Sequence, residues 1–130
     1  MILYLWIALG GAAGSVLRAA TVAGAMRWAG SEFPWGTLLV NVAGSFAIGF
    51  FATHTAPDGR WPVGDECRAF FMTGVLGGFT TFSAFSLQTL DLMRCGAWLR
   101  ASGNVVGSVT LCLLAAWLGH LVATTLAVKR

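Results

Sequence analysis

Charged residues are so sparse along this chain that the apolar runs between them outline its elements. Asp, Glu, Lys and Arg are absent from residues 1–17, 33–57, 69–90 and 101–128. Crossing the hydrocarbon core of a bilayer takes about 20 residues of apolar helix, so the last three runs each predict a span. The first is interrupted by Arg18 but stays apolar to Met26, and predicts a fourth. Pro34 sits where a first helical turn accepts proline, and Trp28 and Trp35 suit a membrane–water boundary. Helices are therefore expected over about residues 2–26, 35–53, 67–93 and 98–128. The Pro-, Asp- and Gly-rich stretch 54–66 is the longest polar connector. The N-terminal run lacks the basic flank of a secretory signal and is read as a span.

Composition agrees, with 57% hydrophobic and 10% charged residues against about 25% charged in soluble domains. A chain of 130 residues makes one domain, so residues 1–130 are read as an all-α membrane protein of four transmembrane helices. The net charge of +3 rests on too few residues to imply nucleic-acid binding. Cys67, Cys95 and Cys112 are widely spaced and His54 and His120 are isolated, which gives a zinc or redox centre no support. With four spans, both termini share a side that carries Arg60, Arg68, Lys129 and Arg130. The other side carries Arg27, Arg94 and Arg100, with Arg18 near it. Orientation follows the Lys/Arg excess of short loops, and these loops encode no strong excess. A chain inserted both ways could pair with its inverted copy, which would put binding sites at the midplane where the copies meet. A single topology set by finer features is the alternative.

Within the spans, the few polar positions fall on faces. Gly10 and Gly14 form a small-xxx-small pair that lets helices approach closely, and Arg18 follows on the same face. An arginine inside a span faces the bundle interior or a water-filled cavity, or snorkels to the boundary. Thr37 and Asn41 share a face of the second helix, with Gly44 and Ser45 one turn on. An intramembrane asparagine either bonds a neighbouring helix or offers its amide donors to a ligand. Asn104, Ser108 and Cys112 make one mildly polar stripe on the last helix.

The third span departs most from a regular membrane helix. Gly77-Gly78-Phe79-Thr80-Thr81-Phe82-Ser83-Ala84-Phe85 places two glycines and two threonines in its middle and repeats phenylalanine every third residue. Irregular backbone at membrane depth is tolerated where it is buried in protein or lines a cavity, so a break over Gly77–Thr80 is expected. Carbonyls freed there could hold a small cation, and oxygen-only ligation suits Na⁺ better than a transition metal. Aromatic edges carry partial positive charge, so Phe82 and Phe85, flanked by the hydroxyls of Ser83 and Ser86, fit an anion path without fixed charge. A glycine-softened kink and plain core packing are the structural alternatives.

Three segments, Gly11-Ala-Ala-Gly14-Ser-Val-Leu-Arg18, Trp35-Gly-Thr37-Leu-Leu-Val-Asn41-Val-Ala-Gly44-Ser45 and Gly74-Val-Leu-Gly77-Gly78-Phe-Thr80-Thr81-Phe82-Ser83-Ala-Phe85-Ser86, resemble the fluoride channel family called Fluc or CrcB. The third is the specific one, and the likeness spans nearly the whole chain. The resemblance implies an antiparallel dual-topology homodimer with two pores and a structural Na⁺ at its centre. It implies passive, selective export of fluoride across the bacterial inner membrane, protecting the cell, and no enzymatic activity. By the same resemblance, Gly77 and Thr80 would offer main-chain carbonyls to Na⁺. Phe82 and Phe85 would present ring edges to fluoride, Asn41 would be the hydrogen-bonding amide with Thr37 on its face, and Ser83, Ser86 and Ser108 would belong to the polar walls. Arg18 matches the family's helix-one arginine, a structural or vestibule residue. The sequence departs from the pattern at Asn104, Cys112 and Gln88, where a tyrosine, a hydroxyl residue and a glutamate are expected.

The nearest rival is a proton-coupled small multidrug transporter, also of four spans in a dual-topology pair. That chemistry needs a carboxylate inside the bundle, and Glu32, Asp58, Asp65, Glu66 and Asp91 all lie outside the centre of a span. A non-conducting scaffold would leave the irregular third helix without a use, and no Ser/His/Asp or metal arrangement supports a hydrolase.

Overall fold

A computed structural model describes residues 1–128. Lys129 and Arg130, counted above in the charge balance, lie outside the described residues. Every element is helical: α1 (Ile2–Ala29), α2 (Trp35–His54), α3 (Asp65–Arg68), a π-helical stretch (Ala69–Leu76), α4 (Gly77–Phe79), α5 (Phe82–Arg94) and α6 (Trp98–Val128). Segments Ile2–Ala29, Trp35–His54, Asp65–Arg94 and Trp98–Ala127 are each long and apolar enough to cross a bilayer. Only 11% to 22% of an apolar 18-residue stretch in each span is buried, so apolar side chains cover the outside, as lipid requires. This is a multi-pass membrane protein.

The packing partners follow from the glycines. Side chains on Gly10 and Gly14 would strike the backbone of Phe70, Gly74, Val75 and Phe79, and one on Gly78 would strike Gly11. Alpha-1 and the third span therefore run parallel in backbone contact, the geometry small residues permit. The contacting positions on the third span, Phe70, Gly74, Val75, Gly78 and Phe79, recur at four and five residues. That spacing matches the wide π turn, in which Gly77 N–H reaches back five residues to Met72 C=O. Alpha-2 and α6 form the second parallel pair, with Gly49 against Ala116 and Gly119 against Phe46 and Phe50.

The ends are tied locally. Gly96, at φ 74°, closes α5 with Gly96 N–H donating to Met93 C=O and Ala97 N–H to Leu92 C=O, a Schellman arrangement that needs a left-handed residue. Arg68 Nη1 donates to Thr55 Oγ1 at 2.7 Å and Ala52 C=O at 3.3 Å, filling the open carbonyl end of α2. The expected helices are all present, with α1 running on to Ala29 and the third span starting at Asp65.

Candidate functional site

The interruption of the third span lies at Thr80 and Thr81, both extended (φ −87°, ψ 160° and φ −155°, ψ 116°). It falls at the C-terminal edge of the expected Gly77–Thr80 break. Gly77 itself keeps helical angles (φ −63°, ψ −37°), and Gly78 is small because Gly11 lies against it. Threonine leaves the helix here because both hydroxyls satisfy the ends so created. Thr80 Oγ1 and N–H both donate to Leu76 C=O, closing the upstream helix. Thr81 Oγ1 accepts from Ala84 N–H at 3.2 Å as the N-cap of α5.

Two helices hold the break. Asn41 Nδ2 donates to Thr81 C=O at 3.0 Å while Thr81 N–H donates to Asn41 Oδ1 at 2.8 Å. The side-chain amide thus pairs with both polar groups of one residue's backbone, as a neighbouring strand would. From α1, Arg18 Nη1 donates to Thr80 C=O at 3.1 Å. Arg18 therefore reaches across the bundle to the break, and the snorkelling alternative does not describe it.

An open groove of about 410 Å³ collects most of the expected site, with Asn41, Gly77, Thr80, Phe82, Phe85 and Ser108 on its walls, and Cys112 beside them. Phe82 and Phe85 lie 5.2 Å apart by ring centroids and tilt by 48°. Phe85 is 8% exposed and Phe82 76%. The stripe holds two rings rather than three: Phe79 precedes the break and packs near Gly14 and Gly44. Thr37, Arg18 and Ser83 line an adjacent cavity that shares Thr81 with the groove. Ser83 Oγ lies 3.2 Å from Thr81 Oγ1. Ser86 is not brought to either cavity, and its hydroxyl donates to Phe82 C=O on its own helix. Gln88 borders the second cavity, and its Oε1 is buried without a hydrogen-bond partner in the structure.

One site feature was not read from the sequence. Asn104, 2% exposed, donates through Nδ2 to Thr89 Oγ1 at 2.8 Å, and Thr89, 7% exposed, donates to Phe85 C=O. Ser108 Oγ points to Asn104 Oδ1 at 3.4 Å, long for a hydroxyl bond, so its proton is only weakly committed. This buried run ties α5 to α6 behind Phe85. Its signal was the i, i+4 spacing of Phe85 and Thr89, which puts a hydroxyl one turn behind the ring. Thr89→Val keeps the shape and leaves the Asn104 amide without its acceptor, which should cost about 1–3 kcal/mol. A lowered melting temperature in detergent checks it, and Asn104→Leu in the same background should recover part of the loss.

Among the described residues no group of three or more His, Cys, Asp or Glu could hold a metal. Backbone oxygen is a different matter. The amide that would bond Gly77 C=O in an unbroken helix, Thr81 N–H, is taken by Asn41, leaving that carbonyl without its ladder donor. Thr80 C=O accepts one bond from Arg18, and a carbonyl has two lone pairs. The donor set thus fits a small oxygen-preferring cation, with two oxygens from one chain.

The profile of the family described as CrcB-like protein, Camphor Resistance (CrcB) matches residues 5–120. A relative from Opitutus terrae, named Fluoride-specific ion channel FluC, is 66% identical over 126 residues, covering 97% of this chain and 96% of its own. Relatives of the same name from Paramagnetospirillum magneticum and Methylocella silvestris are 57% and 54% identical, covering 95% of this chain and 97% and 94% of theirs. With a profile match over most of its length and relatives this similar end to end, the chain belongs to the CrcB family.

Proposed function

We propose that this protein is a channel, not an enzyme, through which fluoride leaves the cell passively. The observation that carries the reading is the uncharged groove in which Phe82, Phe85 and Ser108 stand beside the Thr80–Thr81 break. The name the relatives carry supports fluoride as the ion. Ring edges and weakly committed hydroxyls offer an anion partial positive charge without the trap of a full one. A conducting site must bind well enough to admit the ion and weakly enough to release it.

The working unit is an antiparallel homodimer in the inner membrane of a bacterium, with two pores. The balanced arginines, Arg60 and Arg68 against Arg27, Arg94 and Arg100, support insertion both ways. The open groove and the largely exposed ring of Phe82 on its wall support closure by a second copy. Na⁺ at the junction would be held by the carbonyls of Gly77 and Thr80 from both copies. When bound, it would supply a fixed positive charge that draws the two breaks together. The multidrug-transporter reading finds no carboxylate to work with: Asp65 and Glu66 begin α3, Asp91 lies in the last turn of α5, and Glu32 pairs with Arg100 at 2.6 Å.

Purified protein in liposomes loaded with potassium fluoride and chloride should release fluoride within seconds to minutes of adding an ionophore, while chloride stays. Fluoride loss no faster than from protein-free vesicles would overturn the channel reading.

A further inference from the structure

We propose that Gly44 is a positioning residue for ion passage: it is the seat on α2 that receives the Thr80 methyl group and fixes where the broken helix restarts. The inference rests on the channel reading above. A side chain on Gly44 would overlap Thr80 Cγ2, whereas the next nearest atoms, Phe79 Cδ1 and Thr80 Cβ, lie at 3.5 and 3.7 Å, ordinary contact distances. The obstruction is therefore one methyl group. Gly44 is buried, borders the groove and lies one turn after Asn41. Alpha-2 thus meets the break twice in successive turns. Asn41 takes the polar groups of Thr81, and Gly44 takes the apolar end of Thr80.

The consequence for the site is geometric. Thr80 is pinned on three sides: by Leu76 through Oγ1 and N–H, by Arg18 through its carbonyl, and by the hollow at Gly44 through Cγ2. A methyl group at position 44 cannot be absorbed by rotating the Thr80 side chain without losing the Oγ1 bond to Leu76, because χ1 moves both groups together. Relief therefore comes from giving up that bond or from a shift of the Thr80 backbone. Thr81 and Phe82 follow it directly in the chain, so the shift reaches the first turn of α5 and the exposed ring. Gly44 touches no ion in this scheme; it acts through Thr80.

Serine at position 80 keeps Oγ1 and removes only Cγ2, so the seat can be tested as a cycle of wild type, Gly44→Ala, Thr80→Ser and the double variant. Fluoride efflux is measured per folded channel in liposomes, and melting temperature in detergent. Gly44→Ala should lower flux by about tenfold or more in the wild-type background and by less than about threefold in the Thr80→Ser background. Equal losses in the two backgrounds would overturn the seat. If Gly44→Ala does not reach a folded state, recovery of a folded, conducting protein in the double variant supports the proposal, and failure of the double variant overturns it. Thr80→Ser alone is expected to retain measurable flux; a silent channel counts against the seat, since the methyl group would then matter for another reason. A wild-type protein without fluoride flux would defeat the channel reading instead, and the melting-temperature cycle would then decide the seat by itself.

Discussion

Gly14→Ala should largely prevent recovery of folded protein, while Gly24→Ala, ten residues on in the same helix, should leave it unharmed. A Cβ at Gly14 would overlap Val75 C=O and come within 2.9 Å of Phe79 N. Both obstacles are backbone, so no rotamer change relieves them, and α1 must lift from the π-helical stretch along its whole contact. Overpacking costs about 1–3 kcal/mol where side chains can adjust, and here the cost should exceed that range. A Cβ at Gly24 meets nothing within 4 Å, so that variant should lie within about 1 kcal/mol of wild type, the intrinsic alanine–glycine difference in a helix. Gel filtration and thermal melting in detergent report both. Equal damage from the two would contradict the parallel backbone contact of α1 with the third span.

The second large effect is at the clasp. Asn41→Ala removes an acceptor and a donor at once and leaves the buried Thr81 N–H and C=O without partners. Each orphaned group costs about 1–3 kcal/mol, and water is scarce at this depth to replace the bonds. Fluoride flux should fall by about a hundredfold, the scale on which a 1 Å misplacement acts at a positioned site. Asn41→Asp keeps the acceptor for Thr81 N–H but turns a second acceptor on Thr81 C=O, so it should not restore the stability lost in Asn41→Ala. It should also conduct no better, because it sets a carboxylate on the wall of the groove. Wild-type flux from Asn41→Ala would show that the clasp does not govern the site.

These residues also mark how far the sequence could be read. Four spans were legible because membrane helices announce themselves by length and lack of charge, independent of their partners. Phe82, Phe85, Asn41 and Ser108 were named together on the resemblance to the fluoride channel family, and the fold places the four on one groove. The role of Asn41 was not legible. Whether an intramembrane amide faces a ligand or a neighbouring backbone depends on what the opposite helix leaves unpaired, and that follows from the extended angles of Thr80 and Thr81. The glycines misled in the same way. Gly77 and Gly78 suggested a flexible backbone, yet neither has a positive φ, and Gly78 answers to the backbone of α1. The third phenylalanine dropped out because a period of three holds only while the helix does.

Arg18 bears on how one halide could be told from another. Its guanidinium is held by the carbonyl of Thr80, a dipole and not a counter-ion, so its unit charge persists. At about 8 Å and an effective dielectric near 20, such a charge favours a monovalent anion by about 2 kcal/mol. That benefit is the same for any ion of equal valence at equal distance. Arg18 can therefore enrich anions in the cavity it lines but cannot rank them. In the channel proposed above, discrimination by size and by the cost of shedding water would fall to the rings and hydroxyls that line the groove.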